Sequence, residues 1–426
     1  MAATPPIPRQ CDVIVVGAGP AGAAAAITLA RSGRNVQVFD KARFPRDKCC
    51  GDGLTTLGLR ELERLGFDPA TVPGWFPVGS AVLRSPSGRS TRVPLVGPGT
   101  YAATAPRREL DAALVDLARS AGATVHEGWA FTGLTGDDGT LTFADGTTSV
   151  DVHAPHVIAA DGMWSPVRKA VGATVPDYRG EWHAFRQYAR NVTGPAARDL
   201  IVWFEPDLLP GYAWSFPLPD GRANIGFGVL RDSTRSVRDM GALWRKLLTR
   251  PHVVEALGTG FELEGRHTAW PIPARVDSIA LTHGPVLFVG DAAAATDVMT
   301  GEGIGQALET GRLAAEAILA GFDGVGGDAA AAYTQAVTRR LFADHRMSRR
   351  LGRVLAHERG ANGALRIVSL SGAWGRRNFA RWMFEDEPRA IAVSPRRWHR
   401  QFLKRPGAYA PTATPGSRSR RPTVVE

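Results

Sequence analysis

The chain has 426 residues, of which 44% are apolar and 22% charged, a composition that excludes a mainly disordered or fibrous protein. Lys and Arg number 51 against 41 Asp and Glu, so the net charge of +10 favours acidic partners such as phosphates or anionic lipid. Three cysteines, Cys11, Cys49 and Cys50, are too few for a disulfide framework, and the adjacent pair does not match a zinc site. We therefore expect a reduced cytoplasmic protein without a metal.

No apolar run reaches the roughly 18 residues of a membrane span, and the first ten residues lack the apolar core of a signal peptide. No nucleic-acid-binding motif is recognisable, so nucleic acid is not an expected partner. The sequence makes no prediction of the oligomeric state.

The chain begins with a βαβ pattern. The run Cys11-Asp-Val-Ile-Val-Val16 is typical of a buried parallel strand, and it leads through a glycine-rich turn into an Ala-rich helix that ends near Gly33. A second strand follows over residues 35–39 and closes at Asp40.

Further elements follow in chain order. Apolar spacing and Asp-Gly turns predict helices over residues 55–65 and 107–120, an antiparallel meander over 124–148 with turns at Asp138-Gly139 and Asp145-Gly146, and buried strands over 156–160 and 286–289. A helix is predicted from Gly303 to about residue 320. Basic pairs mark the helical stretch beyond residue 328.

Three glycines between the first strand and helix have separate expected roles. Gly17 permits the tight turn, Gly19 lets a pyrophosphate approach the backbone, and Gly22 lets the helix pack on the strand. Asp40, 23 residues beyond Gly17, can accept hydrogen bonds from ribose hydroxyls. The loop alone does not distinguish NAD from FAD.

Acidic residues follow two further buried strands, in the segments that begin at Asp161-Gly and Gly290-Asp291. Open α/β sheets bind ligands at this end of their strands, and the N–H groups around Gly303 could face an anion such as a reduced flavin. The alternative for each acid alone is a helix N-cap, and both alternatives stay open.

These patterns predict an α/β fold with a discontinuous Rossmann-type domain, residues 11–175 and 271–327. Aromatic residues interleave with polar ones between them, which indicates an inserted antiparallel-sheet domain for the substrate, residues 176–270. A C-terminal helical region, residues 328–405, and a disordered tail, residues 406–426, complete the expected organisation.

The sequence resembles the geranylgeranyl reductase family of the flavoprotein superfamily that also holds aromatic hydroxylases and flavin halogenases. The resemblance covers about residues 11–320 and rests on three segments: Lys48-Cys-Cys50-Gly-Asp-Gly53-Leu-Thr55, Tyr212-Ala-Trp214-Ser-Phe216-Pro217 and Thr300-Gly-Glu-Gly-Ile304. The chain departs from the family where it has Thr56 instead of a frequent proline and Asp297-Val298 instead of a frequent Asn-Pro.

The resemblance implies FAD as the cofactor of the Rossmann-type domain. The positions it matches to FAD contacts are Gly22, Asp40, Cys50, Gly51, Gly53, Arg107, Ala130, Asp291, Gly303 and Ile304. Arg107 is placed by Arg-x-x-Leu-Asp at the start of its helix, and its alternative is a surface arginine.

Two groups of residues are candidates for the chemistry itself. Cys50 could donate a proton or line the pocket, and its alternative is a small buried residue. Tyr212, Trp214 and Phe216 alternate, so they project from one strand face, which suits an apolar chain or else ordinary core packing.

The resemblance implies an FAD-dependent oxidoreductase that saturates isolated C=C bonds in a geranylgeranyl lipid or a menaquinone side chain. Reduced flavin would deliver a hydride to one carbon, and Cys50, Tyr212 or water would supply the proton. NAD(P)H or a ferredoxin is the expected transient electron donor, because no second nucleotide motif is visible.

Two other functions remain open at this stage. One is an FAD monooxygenase for an apolar or aromatic molecule, and the other is a flavin-containing redox sensor without turnover. The basic pairs have two interpretations as well: a peripheral contact with the inner face of the membrane, or a solvated basic surface, which the sequence favours.

Overall fold

The computed structural model describes residues 7–135, 139–231, 239–322, 328–393 and 404–411. The strands in chain order are β1 (Val13–Val16), β2 (Val36–Asp40), β3 (Gly53–Leu54), β4 (Phe76–Pro77), β5 (Ser80–Arg84), β6 (Ser90–Pro94), β7 (Ala103–Thr104), β8 (Thr124–Glu127), β9 (Ala130–Leu134), β10 (Thr140–Ala144), β11 (Ser149–His153), β12 (His156–Ala159), β13 (Trp182–Arg190), β14 (Leu200–Trp203), β15 (Tyr212–Leu218), β16 (Arg222–Leu230), β17 (Glu262–Ile272), β18 (Thr282–His283) and β19 (Val286–Phe288). The helices are α1 (Pro20–Arg31), α2 (Thr56–Arg64), α3 (Arg107–Ser120), α4 (Pro166–Ala170), α5 (Met240–Leu248), α6 (Pro251–Leu257), α7 (Ile304–Phe322), α8 (Ala329–Val337), α9 (Ala343–Leu355), α10 (Glu358–Leu370) and α11 (Gly372–Met383).

A mostly parallel sheet forms the first layer, in the strand order β18-β19-β12-β1-β2-β8. The central strand β1 is buried along its whole length, as its continuous run of Val and Ile predicts. The strands of residues 271–327, the predicted second part of the Rossmann-type domain, join the same sheet as β1. Strand β19 pairs in parallel with β12, which in turn pairs with β1. The predicted α/β fold with a Rossmann-type domain is confirmed.

A second, mainly antiparallel sheet has the order β17-β13-β16-β15-β14-β5-β6. Its apolar face packs on α5 and α6 through residues such as Phe227, Trp244 and Leu257. Two of its strands, β5 and β6, lie before the predicted 176–270 range. They belong to this sheet because β5 pairs in parallel with β14. Sequence reasoning missed this hairpin because five alternating, half-buried residues give a weak strand signal.

The predicted meander over residues 124–148 is partly wrong. Its first strand, β8, pairs in parallel with β2 at the edge of the Rossmann-type sheet, and only β9, β10 and β11 form an antiparallel unit. The local sequence of β8 is typical of a hairpin strand, but its pairing partner, β2, lies much earlier in the chain. Of the predicted turn at Asp138-Gly139, Asp138 lies outside the described residues.

The C-terminal helices α10 and α11 cover a third apolar cluster, in which Leu365, Val368 and Ala380 meet the face of the second sheet. Residues 406–411, predicted to belong to the tail, are placed against the body: Gly407 N–H donates to the Pro98 carbonyl at 2.8 Å, and Ala408 is fully buried. Residues 412–426 lie outside the described part of the chain. Among the described helices, none has the length and apolar character needed to cross a membrane.

Candidate active site

A cavity of about 520 Å³ lies between the two large sheets. On one side it is lined by residues at the carboxyl ends of β1, β2, β12 and β19, among them Asp40, Asp161 and Asp291. On the other side it is lined by β15, with Tyr212 and Phe216. A single cavity therefore joins the ligand-binding edge of a parallel sheet to an aromatic wall.

The three glycines of the first loop have distinct surroundings. Gly17 has φ +99°, and a Cβ there would lie 2.4 Å from the Ala160 carbonyl oxygen, while a Cβ on Gly22 would lie 1.9 Å from the Gly17 carbonyl oxygen. Gly19 instead faces open space, since its nearest neighbour is an Arg46 side-chain nitrogen 3.7 Å away. Backbone packing thus requires glycine at Gly17 and Gly22, whereas Gly19 leaves room for a ligand.

Asp40 ends β2 and holds the loop in place. Its carboxylate accepts the Ala18 N–H at 2.7 Å and the Ala42 N–H at 2.8 Å, one on each oxygen. Each carboxylate oxygen keeps a second lone pair, so the group can still accept a hydrogen bond from a hydroxyl group.

The other two acids differ in their partners. One oxygen of Asp161 accepts the Val167 N–H at 2.9 Å, but the other is buried without a hydrogen-bond partner, and burial raises the pKa of this carboxyl. Ser165 is the N-cap residue of α4, since its hydroxyl accepts the Arg168 N–H at 3.0 Å, and Asp161 shares this role through its bond to the Val167 N–H in the first turn. Asp291 follows Gly290 and accepts a hydrogen bond from Lys48 Nζ at 3.0 Å.

Arg107 is buried, which rules out the surface alternative. Its guanidinium donates two hydrogen bonds to Asp111, both at 2.7 Å, and Arg46 donates a third to the same carboxylate at 2.7 Å. Burial alone would raise the pKa of Asp111, but the two arginines outweigh it and hold that pKa below its usual value. The arginine is therefore a fixed positive charge at the cavity wall.

The Cys-Gly-Asp-Gly segment packs directly on the aromatic strand. A Cβ on Gly51 would lie 3.1 Å from the Phe216 ring, and a Cβ on Gly53 would lie 2.9 Å from it. The two glycines therefore leave room for the ring of Phe216. Cys50 is half-buried and lines the cavity. Burial raises the pKa of its thiol to about 11, so the sulfur keeps its proton at neutral pH.

Asp52 in the same segment is a residue that sequence reasoning did not single out. It is fully buried, with a φ of +63°, and it accepts hydrogen bonds from the Tyr188 hydroxyl at 2.6 Å and from Asn224 Nδ2 at 2.8 Å. Burial raises its pKa to about 6, against the effect of these bonds. Asp52 thereby ties the cysteine segment to β13 and β16. Its place between the two glycines was the available signal.

The aromatic strand β15 places three rings along the cavity. The ring centroids of Tyr212 and Trp214 lie 6.0 Å apart, as do those of Trp214 and Phe216. The Tyr212 hydroxyl donates to the Thr300 carbonyl, and Trp214 Nε1 donates to Asn224 Oδ1 at 3.2 Å. Both polar ends are thus satisfied inside the protein, which leaves an apolar lining.

The Thr-Gly-Glu-Gly-Ile segment brings a second unexpected acid to the cavity. Glu302 Oε1 accepts the Ile304 N–H at 3.0 Å and the Gly305 N–H at 3.2 Å, so this carboxylate lies at the start of α7, where the sequence predicts an anion. Burial raises the pKa of Glu302 to about 7. Gly303, Ile304 and Ala130 line the same cavity.

Comparison with known proteins agrees with this geometry. Residues 10–207 match the FAD binding domain family. A menaquinone reductase of Mycolicibacterium smegmatis is 35% identical over 336 residues, which cover 73% of this chain and 77% of that protein. The chain belongs to the geranylgeranyl reductase family. It is an FAD-dependent oxidoreductase.

Another member of this reductase family, digeranylgeranylglycerophospholipid reductase 2 of Methanopyrus kandleri, is 32% identical and covers 72% of this chain and 76% of its own length. The crystal structure of a geranylgeranyl bacteriochlorophyll reductase-like protein from Thermoplasma acidophilum aligns with a TM-score of 0.77 at 22% identity. It covers 92% of this chain and all of that one, so the fold is shared over nearly the whole length.

The cavity fits FAD by its own chemistry. Gly19 offers an open backbone approach, Arg107 supplies a fixed positive charge, and Asp161 presents a buried oxygen that lacks a partner. The contacts of the individual residues with FAD stay a prediction, but every predicted site residue except Gly22 lines this cavity, and Gly22 lies in α1 against the Gly17 backbone.

Proposed function

We propose that this protein saturates isolated C=C bonds in the prenyl chain of a membrane lipid, either a menaquinone side chain or a geranylgeranyl lipid. The observation that carries the proposal is the single cavity shared by the predicted FAD-binding residues and the aromatic wall of β15. The names of the two reductase relatives support the same substrate class.

The chain's own residues bind and orient the substrate. Tyr212, Trp214 and Phe216 present apolar ring surface whose polar ends are already bonded, so an isoprenoid chain can displace water without stranding a polar group. Bound FAD, once reduced, supplies the hydride that the protein itself cannot. NAD(P)H or a ferredoxin would supply the electrons from solution.

The second carbon of the double bond needs a proton, and Cys50 is the better of the two predicted donors. Cys50 lines the cavity, and its thiol stays protonated at neutral pH, with a pKa of about 11. The Tyr212 proton, in contrast, is committed to the Thr300 carbonyl, and burial raises the pKa of that hydroxyl well above its usual range. We infer that Tyr212 shapes the pocket and that Cys50 holds the proton, which water replenishes.

The test is mass spectrometry of prenyl lipids after anaerobic incubation with the dithionite-reduced protein. Geranylgeranyl diphosphate and menaquinone are offered together, and we expect a gain of two hydrogens on one of them. Replacing Cys50→Ala should slow this gain by about a hundredfold, the usual range for a general acid, whereas Tyr212→Phe should keep most of it.

The matched control is Cys11→Ala, which removes a thiol at the start of the first sheet, away from the cavity. It should bind FAD and turn over like the unchanged protein. If neither lipid gains hydrogen without oxygen but one gains an oxygen atom in air, the reductase proposal is wrong and the protein is a monooxygenase.

A further inference from the structure

The corner between α10 and α11 exposes large apolar side chains to solvent. Ile367 and Leu370 are each 71% exposed and Trp374 is 74% exposed, more than any other large apolar residue in the described part of the chain. Leu365 and Val368 of the same helix α10 are buried on its opposite side. The exposed set is therefore a second apolar face and not an extension of the core.

Positive charge is concentrated around this corner. Residues 343–383 hold nine arginines against Asp344 and Glu358. Three of the nine, Arg346, Arg349 and Arg381, pair with Asp277 or Asp386 outside this stretch. The arginines of this stretch that are exposed are Arg346, Arg350, Arg353, Arg359, Arg366 and Arg377. Arginines around an apolar tip match a surface that is both anionic and able to accept apolar side chains.

The charge argues against a second copy of this chain as the partner. A symmetric contact through the corner would bring two strongly positive surfaces together. An anionic lipid leaflet satisfies both features, because Trp is favoured at the headgroup level and each nearby arginine adds attraction.

The same helices also border the candidate active site. Leu355 at the end of α9 and Met383 at the end of α11 line the cavity of about 520 Å³. Leu365 and Val368 belong to the apolar cluster that Tyr212 and Phe216 pack against. The exposed corner and the cavity thus lie on opposite sides of one thin helical layer.

We propose that the α10–α11 corner, formed by Ile367, Leu370, Ala373 and Trp374 with the arginines around it, docks on an anionic lipid bilayer. The corner enters the headgroup region while α10 and α11 stay on the surface. The proposal adds a partner, the lipid bilayer, and a contacting face to the proposed function. It rests on the proposed function only in taking the substrate to be a lipid.

The test is co-sedimentation of the FAD-loaded full chain with phosphatidylcholine vesicles, with and without phosphatidylglycerol. Binding should need phosphatidylglycerol and weaken as salt rises. The variant Ile367→Ser/Trp374→Ser and the variant Arg366→Glu/Arg377→Glu should each bind at least about tenfold more weakly. Unchanged FAD absorbance and thermal unfolding would show that both variants are folded.

The matched control is Leu263→Ser/Arg245→Glu, which changes exposed residues of the same types on β17 and α5 and should bind like the unchanged protein. Equal binding by the corner variants, or no binding by the unchanged chain, would overturn the proposal, as would a change in oligomeric state caused by the corner variants. The vesicles contain no prenyl substrate, so this experiment is independent of turnover. If the unchanged protein binds the vesicles but reduces neither prenyl lipid in the assay above, the proposed function is wrong and the docking proposal stands.

Discussion

Glu302 places a half-buried carboxyl group at the N-terminus of α7, the longest of the described helices. It accepts the first N–H groups of α7 at 3.0 and 3.2 Å, and burial raises its pKa to about 7. Near neutral pH this group is thus close to half-ionised, although the sequence gives no reason to expect more than a surface acid. The resemblance assigned the neighbouring Gly303 and Ile304 to flavin contacts, so the charge of Glu302 bears directly on that part of the cavity.

The raised pKa predicts a pH-dependent stability. Between the unfolded pKa of 4.5 and the folded pKa of about 7, the folded protein binds more protons than the unfolded chain, so rising pH destabilises it. Glu302→Gln removes this titration while keeping an acceptor oxygen. As the pH rises from about 5 to about 8, the free energy of unfolding of the variant should increase by roughly 2 kcal/mol relative to that of the unchanged protein. Urea unfolding with saturating FAD measures this difference.

A matched control lies further along the same helix. Glu316 is half-exposed and pairs with Arg312, so Glu316→Gln, the same carboxyl-to-amide change at an exposed site, should alter stability by less than about 1 kcal/mol. A stability difference between the Glu302 variant and the unchanged protein that stays constant with pH would contradict the raised pKa.

Which site residues the sequence could predict depends on how local their contacts are. Gly17, Gly19 and Gly22 act within one strand–turn–helix, so their spacing alone predicts their places. Asp52 acquires its role from Tyr188 and Asn224, which are 136 and 172 residues away. No periodicity carries that information, and only the folded sheet brings the three together.

At the scale of elements, the packing of α1 against α7 sets the position of the glycine loop. A Cβ on Gly311 of α7 would lie 2.0 Å from the Ala21 carbonyl oxygen, so the two helices touch through backbone. Helix α1 begins directly after Gly19, and any shift of α1 therefore moves the loop. The close approach makes α7 a support for the proposed FAD-binding residues.

Gly311→Ala should accordingly separate the two helices. Overpacking of this kind destabilises a protein by about 1–3 kcal/mol, and FAD affinity should fall with it because the loop is displaced. Gly352→Ala in α9 is the control: no atom lies within 4 Å of its Cβ position, so it should be neutral or stabilise by about 0.5–1 kcal/mol. Urea unfolding and FAD titration measure both effects, and unchanged values for Gly311→Ala would refute the tight contact.

Strand pairing was the part of the fold that the sequence predicted least well. Continuous apolar runs predict the buried strands β1, β12 and β19, and the βα connections predict that they lie in one sheet. Strand β5 and the edge strands β6 and β8 are short and half-buried, so the sheet that each one joins depends on neighbours distant in sequence.

At the scale of the whole molecule, both departures from the family pattern serve the C-terminal region. Thr56 has the N–H that a proline would lack, and donates it to the Phe384 carbonyl at 2.8 Å. Asp297 pairs with the buried Arg389 at 3.2 Å and accepts the Ser348 hydroxyl at 2.6 Å. The sequence showed both departures, but their partners follow α11 or lie in α9, beyond the range of the resemblance.

Asp297 and Arg389 are therefore expected to stabilise the molecule as a coupled pair. Asp297→Asn removes the main carboxylate partner of the buried Arg389. Burial raises the pKa of Glu385, a second partner at 3.4 Å, to about 8, so that carboxyl is mostly neutral at pH 7. Breaking a buried pair in this way costs about 3–5 kcal/mol. Asp297→Asn/Arg389→Met removes both charges and should cost clearly less than the sum of the two single changes.

Urea unfolding of the four proteins of this double-mutant cycle measures the coupling. The control is Glu262→Gln, which breaks the pair with Arg190 between side chains 54% and 59% exposed and should change stability by less than about 1 kcal/mol. A single cooperative transition in every protein would mean that the C-terminal helices unfold with the FAD-binding body. If the effects of the single changes simply add, Asp297 and Arg389 contribute no coupling energy to the stability of the C-terminal region.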